Sequence, residues 1–301
     1  MASEVKIDNH AKFVSTDPND EKKKAVKKRT RKPKVATPVE ELDHQAIKEA
    51  KKNERQSLKV PEGKTEKARM RERFLKTPIS YYYNVAIDIG KETAYCNIYQ
   101  YLNDKLLGRV YQPQYFAIAE QSDRIFFVNP LLINQAKGVA LLNPDMNFVV
   151  QVSAKYLENR KFVKQLEELL VNIPKNLILS FDARSLVMAG EFGKRNLMVL
   201  TKKYNLTLML DQVETERMTI LFDYPIKYIR LDARYYKEDN EAKHTFVKLV
   251  KEYCYERDIV LCARYVDTKV DRSWAFSSGV KYIEGQLVQP IKSSVANALR
   301  K

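Results

Sequence analysis

The sequence is short of cysteine, histidine and glycine, and each shortage removes a class of protein. The three cysteines, Cys96, Cys254 and Cys262, lie far apart in apolar or helical stretches. A disulfide framework is therefore not expected, and buried reduced thiols are. His10, His44 and His244 stand singly in polar surroundings, and no Cys/His set has metal-ligand spacing. Only 8 glycines and 11 prolines in 301 residues argue against fibrous or low-complexity architecture. No continuous apolar run approaches the roughly 18–20 residues of a membrane helix. The opening MASEVKIDNHAKFV lacks the apolar core of a signal peptide. A cytoplasmic protein is expected.

What is abundant is positive charge, and it is unevenly spread. Residues 1–77 hold 22 Lys+Arg against 13 Asp+Glu, and the remaining residues hold 31 against 25. The sharpest cluster, EKKKAVKKRTRKPK (21–34), contains Lys22, Lys23, Lys24, Lys27, Lys28, Arg29, Arg31, Lys32 and Lys34. With almost nothing apolar to bury, this segment is expected to be disordered. We read 1–77 as a basic tail, disordered or partly helical, and 78–301 as the folded domain. The plain role of the tail is solubilising. The sharper ones are contact with an acidic partner, with nucleic acid, or with an anionic membrane surface. No aromatic residue interleaves the run, so base stacking has no support.

From Tyr81 the texture changes. YYYNVAIDI, NFVVQVS (147–153), NLILSFD (176–182), LTLMLDQ (206–212), IKYIRLD (226–232) and DIVLCAR (258–264) read as strands, apolar on both faces. Between them, 160–172, 193–205 and 241–257 carry apolar residues at spacings of three and four, as helices do. Such alternation means βα units and a parallel sheet, and at least five units over some 200 residues favour a closed barrel. Polar residues recur where strands end: Gln151, Ser180, Asp182, Asp211, Gln212, Asp232 and Arg264. In a barrel these ring one mouth, although any strand emerging into a loop ends in polar residues. Trp274, in DRSWAF, reads as helix packing.

In order along the chain, NFVVQVSAKYLENRKFVKQLEELL, NLILSFDARSL, LTLMLDQVETERM, PIKYIRLDARYY, IVLCARYVDT and GVKYIEGQLVQP resemble the EAL domain family. Ser153-Ala154, Asp211, Asp232, Val266, Gly285 and Pro290 match its framework, and PQYFAIAEQSDRI (113–125) looks like its helix after the signature strand. The resemblance spans roughly residues 85–295. It implies a modified (β/α)8 TIM-like barrel and, in family members, a phosphodiesterase for cyclic di-GMP that uses two Mg²⁺ or Mn²⁺ ions.

The family's chemistry needs hard oxygen ligands around those ions. Carried over by the resemblance, the Glu of the signature falls on Asn97, in Asn97-Ile98-Tyr99, and the next ligand, an Asn, falls on Gln151. The following Glu falls on Ser180, and the Glu that steadies the metal loop falls on Ala183. Of the paired aspartates only Asp211 remains, beside Gln212. The catalytic Lys falls on Arg230 with Asp232 kept, the next Glu on Arg264, and the late Gln on Glu284. Both glycines of the metal loop are replaced in Gln212-Val213-Glu214-Thr215-Glu216. The arginines that contact nucleotide fall on Tyr101 and Gln289.

This pattern predicts a degenerate member with no metal or cofactor, acting as a regulatory or protein-interaction module. Asp211 and Asp232 are expected to pair with Arg264 or Arg230. Two alternatives remain. Arg230, Arg264, Arg184 and Tyr101 would form a basic mouth that still receives cyclic di-GMP, or the basic tail would be the functional part. Binding of cyclic di-GMP by the family's usual mode is not expected.

Overall fold

A computed structural model describes residues 77–88, 90–105, 108–121, 123–213, 224–236 and 240–299. The basic run 22–34 lies outside them. In chain order the elements begin with β1 (Ile79–Ile87), β2 (Thr93–Asp104) and β3 (Gly108–Tyr111). Helices α1 (Gln112–Gln121) and α2 (Ile125–Leu142) come next, then β4 (Phe148–Gln151), a 3₁₀ turn (Ala154–Leu157) and α3 (Arg160–Leu170). The chain continues through β5 (Leu177–Asp182), α4 (Ala183–Tyr204), β6 (Thr207–Asp211), β7 (Tyr228–Asp232), α5 (Ala233–Tyr236) and α6 (Glu241–Glu256). It ends with β8 (Val260–Arg264), α7 (Lys269–Ser277), β9 (Tyr282–Ile283) and α8 (Val295–Leu299).

The strands run β1-β9-β8-β7-β6-β5-β4-β2, and β1 also pairs with β2, which closes the barrel. Strands β4 to β9 are parallel to their neighbours, while β1 is antiparallel to both β2 and β9. This reversed strand is what modifies the (β/α)8 pattern. Strand β3 hangs from the end of β2, extending that wall above the barrel.

Closure divides the apolar residues into two sets. Ala86, Tyr95, Val149, Ile178, Met209 and Cys262 cluster among themselves, filling the lower interior. The outward side chains of the same strands, such as Val85, Phe148, Leu179, Leu210 and Ile229, pack under the helices in the main core. One step along each strand the inward positions turn polar. Reading these strands as apolar on both faces therefore holds for their lower halves only.

Two helical features differ from the sequence reading. Helix α2 has no apolar stripe to find, because it is apolar nearly all round. Among the described residues it is the one helix long and apolar enough to cross a membrane, with mean hydropathy 1.4. Asn129, Pro130, Asn134, Gln135 and Lys137 interrupt its sequence, and Leu132, Ile133 and Ala136 are buried in the core. Helix α4 starts at Ala183, not near 193, capped by the Asp182 carboxylate, which accepts from the Ser185 amide. It is broken at Gly190, whose φ of 61° and ψ of −164° suit glycine alone. Trp274 lies on α7 and packs, partly buried, against the main core. All three cysteines are free and buried.

Candidate functional site

Above the apolar floor the barrel interior holds a network of charged and amide side chains. Asn97 of β2, Ser180 of β5, Asp211 of β6, Arg230 of β7 and Glu284 just after β9 all point inward, and each is 3% exposed or less. Period-two alternation places them there: each sits two residues beyond a member of the apolar floor, as Asn97 follows Tyr95 and Asp211 follows Met209.

Arg230 is the centre. Its Nη2 donates to Asp211 Oδ2 at 2.6 Å and to Ser180 Oγ at 3.4 Å. Its Nη1 donates to Asn97 Oδ1 at 2.7 Å and to Glu284 Oε1 at 3.2 Å. The Asn97 amide nitrogen donates to Glu284 Oε2 and to the Asn84 carbonyl. Arg264 reaches in from the rim and donates Nη1 to Asp211 Oδ2 at 3.0 Å, while the Gln212 amide donates to Asp211 Oδ1 at 2.9 Å. Two guanidinium groups face two carboxylates, so the cluster is formally neutral.

The fields inside it are strong because water is excluded. Burial raises the Asp211 carboxyl, but Arg230 and Arg264 more than reverse this and hold it below its ordinary value. Burial dominates at Glu284 and leaves it raised. Burial opposes the charge of Arg230, yet Asp211 and Glu284 keep it firmly protonated. The Nε atoms of Arg230 and Arg264 are buried without a hydrogen-bond partner.

A cleft of about 650 Å³ opens above the cluster, lined by residues including Tyr82, Tyr99, Phe116, Glu120, Asp182 and Arg264. Tyr82 and Tyr99 stack with ring centroids 5.1 Å apart. Burial raises both Glu120 and Asp182; each is raised further by a neighbouring carboxylate, Glu120 by Asp182 and Asp182 by Asp211. Ser153 Oγ donates to Glu120 at 2.5 Å. Among the described residues no three His, Cys, Asp or Glu side chains are grouped to hold a metal ion.

The remaining predicted residues are placed as follows. Gln151 accepts from Gln112 at 2.8 Å and lines the cleft. Gln212 also lines it, in a left-handed conformation with φ 55°. Asp232 does not reach Arg230 or Arg264; it forms a pair with Arg234, 3.1 Å away. That corrects the expected pairing for Asp232, while Asp211 does pair with both arginines: Arg230 lies two residues back along β7, and Arg264, the register partner of Asp232 on β8, turns to Asp211 instead. Arg184 lines the cleft, and Tyr101 does not. The Arg109 guanidinium lies over the Tyr101 ring at 5.4 Å instead. Arg230 is not among the cleft-lining residues. The proposed basic quartet is thus not one surface.

The sequence reading gave Tyr82 only a packing role and Tyr99 only a place in the signature, and it did not single out Asn84 or Glu120. Alternation along β1 and β2 would have placed the first three inward.

The EAL domain family model matches residues 69–290. No curated protein matches the chain significantly. Among solved structures, the EAL enzyme Bd1971 in its cAMP- and cyclic-di-GMP-bound form is 16% identical with a TM-score of 0.65, over 88% of this chain and 76% of that one. The phosphodiesterase PaMucR in complex with c-di-GMP is 14% identical with a TM-score of 0.62, over 77% of this chain and 96% of that one. The FimX EAL domain from Pseudomonas aeruginosa, bound to c-di-GMP, is 11% identical with a TM-score of 0.63, over 75% of this chain and 96% of that one. The reversed first strand, the polar cluster at the strand ends and a family match over most of the described barrel together place this chain in the EAL domain family.

Proposed function

We propose that this chain is a non-catalytic EAL-family barrel that works as a regulatory or protein-interaction module. The observation that supports this is Arg264, which stands where the resemblance places a metal-binding glutamate and donates to Asp211 at 3.0 Å. A divalent ion about 4 Å from one guanidinium meets repulsion of roughly 8 kcal/mol at an effective dielectric of 20, and arginine cannot act as a ligand. Both carboxylates nearest the centre already accept from arginine. The donor set does not fit two Mg²⁺ or Mn²⁺ ions.

The test is turnover of cyclic di-GMP by the purified chain with Mg²⁺ and with Mn²⁺. The expected result is no linear dinucleotide product above a no-protein control. Metal-dependent product formation at the rate of an active family member would sink the reading.

A second reading has one observation in its favour. The cleft is of ligand size, has two stacked tyrosines on one wall, and presents Arg264 and Arg184. Arg184 has no ion-pair partner among the described residues. Calorimetric titration of cyclic di-GMP decides between the two: metal-independent micromolar binding makes the domain a nucleotide receptor, and absence of heat leaves the interaction module.

A further inference from the structure

Strands β6 to β9 enter the barrel at the end opposite the cleft, and one pair of residues recurs there. Lys203-Tyr204 ends α4 just before β6, Lys227-Tyr228 leads into β7, and Lys281-Tyr282 leads into β9. The entry to β8 repeats the pair in looser form, with Tyr253, Tyr255 and Arg257. The parallel ladder sets these entries side by side on one rim. Tyr228 and Tyr282 close the apolar floor from beneath, each edge-on to Tyr95 with ring centroids 6.3 and 6.1 Å away. Both, like Tyr204, are only partly buried, and Tyr255 exposes 90% of its surface.

Cations stand beside the rings. Lys203 Nζ is 5.1 Å from the Tyr204 ring centre, Lys281 Nζ is 5.4 Å from that of Tyr282, and the Arg257 guanidinium is 4.8 Å from that of Tyr253. Lys203 also pairs with Glu167 at 2.8 Å. Lys202, Lys227, Lys251 and Lys281 are exposed, and none of them pairs with a carboxylate among the described residues. Lys251 belongs to this rim because a Cβ added at Gly279, two residues before Lys281, would stand 2.6 Å from its Cε. The carboxylates in these segments are Glu252, Glu256 and Asp258, all at the β8 entry. At the mouth, by contrast, Arg230, Arg234 and Arg264 are each paired.

We propose that this rim binds single-stranded nucleic acid, its lysines meeting phosphates and its tyrosines stacking on bases. The run 22–34 has the charge for such a contact without the rings; the rim has both. Sign excludes two other occupants. The first 77 residues hold 22 Lys+Arg against 13 Asp+Glu, and the rest of the chain holds 31 against 25. Neither the chain's own N-terminal part nor a second copy brings the negative charge that the lysines call for. A duplex keeps its bases stacked inside, out of reach of rings seated in a barrel floor. A bilayer takes up exposed apolar side chains beside the lysines, and apart from Tyr255 no large apolar side chain is exposed in 201–206, 225–228, 251–259 or 278–282. An acidic protein would meet the lysines and leave the recurring rings without a purpose. The rim lies at the far end of the barrel from the mouth, so neither the hydrolysis assay nor the cyclic di-GMP titration bears on it.

The test is fluorescence anisotropy of the full chain with labelled oligo(U) of about 12 nucleotides over a range of salt, followed by ultraviolet crosslinking and mass spectrometry. Micromolar binding is expected, with crosslinks on Tyr255 or on the peptides that hold Tyr228 and Tyr282. Lys227→Gln combined with Lys281→Gln should weaken binding about ten-fold and flatten the slope of log K against log salt by about 1.4, for two phosphates at about 0.7 each. Tyr255→Ala should weaken binding about ten-fold with that slope unchanged, because stacking releases no counterions. Both variants should keep the wild-type thermal midpoint, since the altered side chains are exposed. Crosslinks confined to the first 77 residues overturn the proposal, as does a slope unmoved in the lysine variant. So does displacement of the oligonucleotide by polyglutamate or by phosphatidylserine vesicles at equal charge, or no binding at all.

Discussion

Arg230 is held by four different strands' worth of side chains, and its energetics depend on all of them being present. Burying one charge is costly, and burying matched charges is tolerable only while every partner stays. Asp211→Asn leaves Arg230 and Arg264 facing an amide. The expected loss is about 3–5 kcal/mol, the range for breaking a buried ion pair, read from urea unfolding of wild type and variant. The pH dependence has a definite sign. Asp211 is held below its ordinary value of about 3.9, so its contribution is fully present above that pH and is lost as pH falls through the lower folded value. The stability gap between wild type and Asp211→Asn should therefore narrow as pH drops below about 4. A gap that widens on acidification would show that Glu284, whose raised value gives the opposite slope, dominates.

At the scale of elements, the strands were legible and the helices only partly so. Short β-branched runs with a polar residue at the end marked β4 to β8 correctly, because a barrel strand must be apolar below and meet solvent above. The 3.6-residue stripe found α3 and α6, which each have one wet face. It missed α2, whose exposed side is as apolar as its buried side, and it missed the first half of α4, where Gly190 resets the phase of the stripe. Of the partners of Arg230, Asp211 was legible in the sequence as a retained carboxylate, and Asn97 and Ser180 were not. Glu284 is 54 residues away, and only the closing of β9 onto β1 and β8 brings it across. Gly285, beside it, was noticed as a framework match, and the structure supplies the reason. Its φ is 151°, and an added Cβ would stand 2.5 Å from the backbone N and O of Val266. Gly285→Ala should shift the Val266 loop and lower the thermal midpoint by several degrees, at a cost of at least about 1–3 kcal/mol. An unchanged midpoint would mean that the loop yields freely and does not brace Glu284.

For the whole molecule, the three thiols report on folding rather than on chemistry. Cys96, Cys254 and Cys262 are buried and pushed up to about 12, chiefly by burial, so none is a thiolate near neutral pH. Ellman's reagent should label none of them in the native chain and all three in guanidinium. Fast labelling of one thiol in the native state would reveal local opening of its element.

On the proposed reading, the stability of the fold does not depend on a bound ion. A barrel braced by a free ion is stabilised only in proportion to the logarithm of that ion's concentration over its dissociation constant. A cation carried on a side chain is present at one equivalent in every molecule, at every ion concentration. The thermal midpoint of this chain should therefore be the same in excess EDTA as in millimolar Mg²⁺, measured by calorimetry. Its integrity would then be uncoupled from the cell's divalent-metal supply, so that swings in magnesium or manganese would leave its abundance untouched.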